Sequence, residues 1–156
     1  MKAKKFNSLQ EAVQKLEYYC SYQERCHAEI NEKLKEFDFG SQEKDQIIVH
    51  LIQNNFLNEE RFACSFARGK HRIKHWGKLR IARELKFRNI SQYNIDRALK
   101  EIDDEEYLCA FHSLAEKIWE SISEKNSEKK KKKFCDYLIR KGFEPSIVYE
   151  KCHSLF

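Results

Sequence analysis

Histidine pairs, cysteines and a run of acids are the groups in this 156-residue chain with chemistry of their own. His71 and His75 stand four residues apart, about one helical turn, a spacing that suits two ligands of one metal ion. Lys70, Arg72, Lys74 and Lys78 surround them and would repel a cation, so the pair reads as part of a positive surface. Cys20, Cys26 and His27 could hold zinc with Cys152 and His153, yet no paired chelating spacing such as CxxC supports such a site. The six cysteines each sit in a helix-like context, and reduced thiols packed in or near the core are the expectation. Asp103-Asp104-Glu105-Glu106 could be imagined as a metal site. It lies at a helix start, where carboxylates cap orphan amides and complement the dipole. Walker A, GxSxG, HExxH and dinucleotide signatures are all missing from the sequence. We therefore assign no catalytic residue, no metal ligand and no cofactor, and expect a binding protein rather than an enzyme.

The stronger signal is where the charge sits. The net charge is only +5, from 30 basic and 25 acidic residues, but it is segregated. Residues 68–88 carry nine cations against the single carboxylate of Glu84, whereas residues 89–128 carry four against ten acids. Residues 129–156 are basic again, eight against three, with the run Lys129, Lys130, Lys131, Lys132 and Lys133. Such islands favour polyphosphate or an acidic protein surface through Coulomb attraction and counterion release. A solvated lysine-rich face is the competing reading. A helix-turn-helix reader is also conceivable, although the first island lacks the Asn and Gln residues that commonly read adenine.

The elements that must position these charges are helical. Four glycines and one proline leave little for the turns of an all-β fold, and Lys, Glu, Leu, Ala, Gln and Arg dominate. Capping boxes at Ser8-x-x-Glu11 and Ser21-x-x-Glu24 predict the first two helix starts. Others follow Gly40, Asn58, Gly77, Ser91, Asp103 and about Ser127, and Pro145 opens a ninth helix. Ile47, Ile48, Leu51 and Ile52 are expected inward on the third helix, and Phe62, Phe66 and Ile73 on the fourth. Leu79, Ile81, Ala82 and Leu85 are expected to form the buried face of the fifth, and Leu108 and Phe111 to face the core from the seventh. No apolar run approaches the roughly 18 residues that span a bilayer. The start Met1-Lys2-Ala3-Lys4-Lys5-Phe6 leads into an amphipathic stretch rather than a signal-peptide core, so a cytoplasmic protein without membrane contact is expected.

A repeat organises the helices. Ile30-x3-Leu34-x4-Phe39 matches Ile81-x3-Leu85-x4-Ile90 and Phe134-x3-Leu138-x4-Phe143. Asp38, Asn89 and Gly142, four residues after each leucine, are residue types that tolerate the left-handed turn closing a helix. A further helix then carries Ile47, Ile95 or Ile147. The expectation is an all-α protein of three tandem three-helix repeats, residues 1–57, 58–102 and 103–156, stacked into an elongated, curved array. Both basic islands then fall on middle helices, and stacking could merge them into one stripe.

Three segments resemble the RecX family, regulators of the RecA recombinase. They are Phe56-Leu57-Asn58-Glu59-Glu60-Arg61-Phe62-Ala63, then Gly77-Lys78-Leu79-Arg80-Ile81-Ala82-Arg83-Glu84-Leu85 with Ile90, and Tyr137-Leu138-Ile139-Arg140-Lys141-Gly142-Phe143 with Ile147. The match runs from about Leu16 to the C-terminus. It implies a monomeric, non-catalytic regulator seated in the groove of the RecA–DNA filament, where it modulates assembly, ATP hydrolysis, strand exchange and co-protease activity, most simply as an inhibitor. Carried over by position, the basic residues of the middle-helix motifs are Lys78, Arg80, Arg83, Lys86, Arg140 and Lys141, with Lys33 in the first unit and Arg68 and Arg72 on the fourth helix extending the surface. The Lys129–Lys133 run is denser than the motif requires and is a candidate contact to single- or double-stranded DNA, without sequence preference. A stand-alone nucleic-acid-binding helical module is the alternative. Two departures are visible: the family's helix-closing glycine is replaced by Asp38 and Asn89, with the turn chemistry expected to survive, and the first unit is less basic than the second.

Overall fold

A computed structural model describes residues 8–155; the basic start Met1–Phe6 lies outside the described residues. Within that range the elements are all α-helices: α1 (Leu9–Tyr22), α2 (His27–Leu34), α3 (Ser41–Gln53), α4 (Glu59–Lys74), α5 (Lys78–Phe87), α6 (Gln92–Lys100), α7 (Asp104–Ser121), α8 (Ser127–Arg140) and α9 (Pro145–Ser154). Five of these begin as local chemistry requires. Side-chain oxygens of Ser8, Asn58, Ser91, Asp103 and Asn126 accept from the amide three residues on, at 2.9–3.2 Å. Pro145 supplies the first residue of α9, where its missing N–H costs nothing.

The second expected box does not open a helix. Ser21 belongs to the last turn of α1, and its hydroxyl donates back to the Glu17 carbonyl at 2.8 Å. Cys26 caps α2 instead: the Glu29 carboxylate accepts from the Cys26 amide at 3.2 Å and from its thiol at 3.4 Å.

The chain is built from three tandem three-helix units, and the most extensive helix packing, α1 on α3, α4 on α5 and α6, and α8 on α7 and α9, falls inside them. The repeated leucines Leu34, Leu85 and Leu138 and their partners Ile30, Ile81 and Phe134 are all buried. Two cores result rather than three. One holds Ala12, Leu16, Ile30, Leu34, Ile47 and Leu51 of the first unit. The other runs unbroken from Phe62 of α4 through Ile81, Leu85, Ile95, Phe111 and Phe134 to Val148 of α9. Cys26, at the turn between α1 and α2, reaches into that second core.

Left-handed closure occurs at two of the three expected positions. Asn89 has φ 60° and Gly142 φ 100°, and the next residue returns its amide to the repeated leucine, Ile90 to Leu85 at 3.1 Å and Phe143 to Leu138 at 3.2 Å. Asp38 is not left-handed. There α2 ends in a tight turn, with the Phe37 amide on the Leu34 carbonyl at 3.1 Å, and the Phe37 ring rather than that of Phe39 is buried. The first unit uses Asn55 instead, φ 63°, after α3.

Several apolar residues expected inward face solvent. Ile52, Ile73, Leu79 and Leu108 are exposed, and on α7 the buried place beside Phe111 goes to Tyr107. On α9 it goes to Val148 rather than Ile147. The cysteines are unpaired by disulfides, and all are buried except Cys109, which departs from the expected packing. Burial, then its Cys152 neighbour, pushes the Cys135 thiol up to about 12, away from the reactive thiolate.

Candidate basic interface

The basic residues are positioned by a junction between the second and third units. Helix α4 ends at His75, left-handed with φ 58°, and the chain turns through Trp76 and Gly77 into α5. There Gly77 lies against Gly142. The Gly77 amide donates to the Lys141 carbonyl at 2.8 Å and the Leu79 amide to the Gly142 carbonyl at 3.0 Å. Between them the Lys78 amide donates to the Tyr107 hydroxyl at 3.0 Å. Thus three successive amides at the start of α5 are satisfied by the third unit. The Tyr107 hydroxyl in turn donates to the Glu144 carboxylate, and burial first, that hydrogen bond second, raises the phenol above its usual range. His71, read from sequence as surface, is buried beneath this junction. Its Nδ1 donates to the Trp76 carbonyl at 3.0 Å and its ring lies 5.2 Å from that of Tyr107. Its neighbour in the pattern, His75, remains exposed.

The candidate cations fall into distinct groups. Arg68, Arg72 and Lys78 are neutralised by the acidic segment that follows α6: Arg68 pairs with Glu101 at 3.2 Å, Arg72 with Glu106 at 3.1 Å and Lys78 with Asp104 at 3.4 Å. The apparent lack of compensating carboxylates in residues 68–88 is therefore made good across the fold, and Asp104 and Glu106 do more than complement a helix start.

A second group gathers where α8 ends on α5. The Lys141 ammonium donates to the Lys74 carbonyl at 2.7 Å, and Arg80 donates to the Arg140 carbonyl at 3.4 Å. Burial, then the charges of Arg80 and Lys74, lowers the Lys141 ammonium below its usual range. Aromatic rings steady this cluster. The Arg80 guanidinium lies 4.3 Å from the Trp76 ring, the Lys70 ammonium 5.1 Å from Trp76 and 5.4 Å from Phe66, and the Arg88 guanidinium 4.8 Å from Phe66. Phe62, Phe66, Lys70, Lys74 and Arg88 line one wall of a groove of about 390 Å³ that faces Glu24 and Glu29 of the first unit. Arg83 and Lys86 project from α5 into solvent.

The lysine run does not join this cluster. It occupies the start of α8, about 15 Å along the axis from Lys141 at the rise of a helix. Lys131 meets Glu128 at 3.6 Å, Lys132 meets Asp136 at 2.9 Å, Lys133 meets Glu124 at 3.1 Å, and Lys130 lies 4.2 Å from the Trp119 ring. Lys129 is exposed at the helix start. In the first unit Lys33 pairs with Glu36 at 3.1 Å. The charge thus forms a dense patch at the α5–α8 junction and a separate, largely self-paired run, not one stripe. Sequence reasoning overlooked the rings of Phe66 and Trp76 as cation platforms and the exposed ring of Phe87. Only Phe87 carried a local sign, an aromatic placed between Lys86 and Arg88. Among the described residues no three of His, Cys, Asp and Glu converge on a metal position, and no helix is long and apolar enough to cross a membrane.

Comparison with known proteins fits this architecture. Residues 58–99 match the family model described as RecX, second three-helix domain, and residues 104–151 match RecX, third three-helix domain. The regulatory protein RecX of Lactococcus lactis is 31% identical over 141 residues, 88% of this chain and 52% of that protein. The Bacillus cytotoxicus protein of the same name is 27% identical over 130 residues, 83% of this chain and 48% of that protein. The chain thus spans about half the length of these relatives. A crystal structure of RecX from Lactobacillus salivarius superposes with a TM-score of 0.81 at 25% identity, covering 94% of this chain and 96% of that one. A second crystal structure of regulatory protein RecX gives 0.82 at 26% identity, covering 94% of this chain and 71% of that one. By two successive domain models and by fold, the chain belongs to the RecX family of regulatory proteins.

Proposed function

We propose that this protein is a non-catalytic regulator that binds a RecA-type recombinase filament on DNA and restrains its assembly, ATP hydrolysis, strand exchange and co-protease activity. The observation that carries the reading is the cation cluster at the α5–α8 junction, where the Lys141 ammonium sits on the Lys74 carbonyl and burial, then the charges of Arg80 and Lys74, hold it below its usual range while Arg80 reaches the Arg140 carbonyl. Family membership supports the choice of partner, since the resemblance implies a regulator of the recombinase. The cluster would meet acidic recombinase surface or DNA phosphate, and a monomer working in the cytoplasm needs nothing more. The division into units 1–57, 58–102 and 103–156 belongs to the same reading, each unit offering one face to a filament of repeating protomers.

The test is ATP hydrolysis by recombinase on single-stranded DNA with the protein added at stoichiometric amounts. A fall in turnover is expected, and Arg80→Glu with Arg83→Glu should abolish it while leaving helicity intact. A folded wild-type protein without effect would refute the proposal. The exposed start of the lysine run favours a second reading, a module that binds DNA by itself; strongly salt-dependent binding to DNA alone, as tight as to the filament, would support that instead.

A further inference from the structure

The solvent face of α5 differs from that of its counterparts in the other two units. At 100° per residue, Leu79, Arg83, Lys86 and Phe87 fall within an arc of about 100°, opposite the buried Ile81 and Leu85. Phe87 is 83% exposed and Leu79 48%, and Arg83 and Lys86 also face solvent. Among the described residues, none of these four side chains has a hydrogen-bonding, ionic or ring partner. The repeat provides the comparison. Aligned on Leu34, Leu85 and Leu138, the same positions are Ala28, Glu32, Lys35 and Glu36 in the first unit, the last two just past the end of α2, and Lys132, Asp136, Ile139 and Arg140 in α8. There the charges satisfy one another: Lys35 with Glu32 at 2.9 Å, Lys33 with Glu36 at 3.1 Å, and Lys132 with Asp136 at 2.9 Å. Arg140 of α8 is the exception; among the described residues only the middle unit leaves both of its cations at these positions unpaired and sets two large apolar side chains beside them.

We propose that this face, Leu79–Arg83–Lys86–Phe87, is the protein-docking surface of the molecule, made for a partner that offers an apolar pocket rimmed by carboxylates. An aromatic anchor flanked by Arg and Lys is the make-up of an interface hot spot. Phosphate alone would account for the cations but leaves Leu79 and Phe87 in water, whereas an acid-rimmed pocket accounts for all four. Charge complementarity sets the acidic character of the rim, since the α5 segment has one carboxylate, Glu84, and Arg88 occupies it at 3.7 Å. The inference rests on the regulator reading and deepens it: the second unit makes the protein contact.

The experiment measures binding of the full chain and its variants to recombinase assembled on single-stranded DNA and, separately, to bare single-stranded DNA. Phe87→Ala is expected to weaken filament binding at least about tenfold and to leave DNA binding unchanged, because truncating a buried aromatic anchor costs that much or more. Arg83→Glu with Lys86→Glu should weaken filament binding as well, through a slower association rate that high salt masks. Far-UV circular dichroism should match wild type for each, since these side chains are exposed. If Phe87→Ala lowers affinity for bare DNA as much as for the filament, the ring stacks on a base and the protein-docking assignment is overturned. Unchanged filament affinity of Phe87→Ala overturns it too, with the regulator reading intact. Wild-type protein that ignores the filament removes both.

Discussion

Replacing Gly77 by alanine should loosen the third unit from the second. A Cβ built at Gly77 would stand 2.3 Å from the Gly142 carbonyl carbon, 2.4 Å from its oxygen and 2.4 Å from the Phe143 nitrogen. All three are backbone atoms, so no side chain can swing aside. The Gly77 backbone itself, φ −79° and ψ 167°, suits alanine, so the effect is one of contact and not of dihedral strain. Separating the strands of backbone by the ångström required loses the bonds from Gly77 to Lys141 and from Leu79 to Gly142. Two such hydrogen bonds are worth about 1–3 kcal/mol together, and crowding a packed contact costs about 1–3 kcal/mol more, so a loss of about 4 kcal/mol is expected. For a chain of this size that lowers Tm by about 8–16 °C. Urea and thermal unfolding followed by circular dichroism would measure it. Gly69→Ala is the matched control: its Cβ would meet nothing within 4 Å in the middle of α4, so the change should stabilise by about 0.5–1 kcal/mol. A Gly77→Ala protein within about 0.5 kcal/mol of wild type would refute the claim that this apposition holds the units together.

Two further outcomes follow from the same structure. Leu85→Ala should destabilise by about 2–5 kcal/mol, since Leu85 is completely buried in the core shared by the second and third units; Ile73→Ala, at an exposed position, should cost little in the same unfolding assay. Tyr107 is held neutral above the usual phenol range, so its contribution is full below about pH 10 and is lost as pH rises towards its folded value. Stability should therefore fall with pH above about 10, and Tyr107→Phe should flatten that fall while lowering stability at neutral pH, as read by urea midpoints across the alkaline range.

How much of this was legible beforehand depends on how local each cause is. Helix starts set by a side chain and an amide three residues on, at Ser8, Asn58, Ser91 and Asp103, could be read directly, as could the buried repeat Leu34, Leu85 and Leu138. Ser21-x-x-Glu24 carried the same pattern and misled, because the hydroxyl can equally bond back into the helix that precedes it. Charge was harder. Segment totals treat the basic residues 68–88 and the acidic residues after them as separate fields, but folding sets Arg68, Arg72 and Lys78 against Glu101, Glu106 and Asp104. What gathers Lys74 and Arg80 with Lys141 is a contact between two glycines 65 positions apart, Gly77 and Gly142, and no local pattern encodes it. Periodicity likewise assigned Leu79 to the core, because it registers that a residue is apolar and not whether a neighbour exists to cover it.

The meeting of Gly77 with Gly142 also joins two helices in electrical series. Carbonyls that close α8 carry the negative end of its dipole and point at the amides that open α5, which carry the positive end of another. Each half-charge is quenched by the other. At the start of α5 the amides of Gly77, Lys78 and Leu79 are therefore already engaged and not free to hold an anion, unlike those of a free helix start in a phosphate loop. The attraction this region exerts comes instead from guanidinium and ammonium groups at the ends of long side chains, held over the joint by the Trp76 ring and the carbonyls of Lys74 and Arg140.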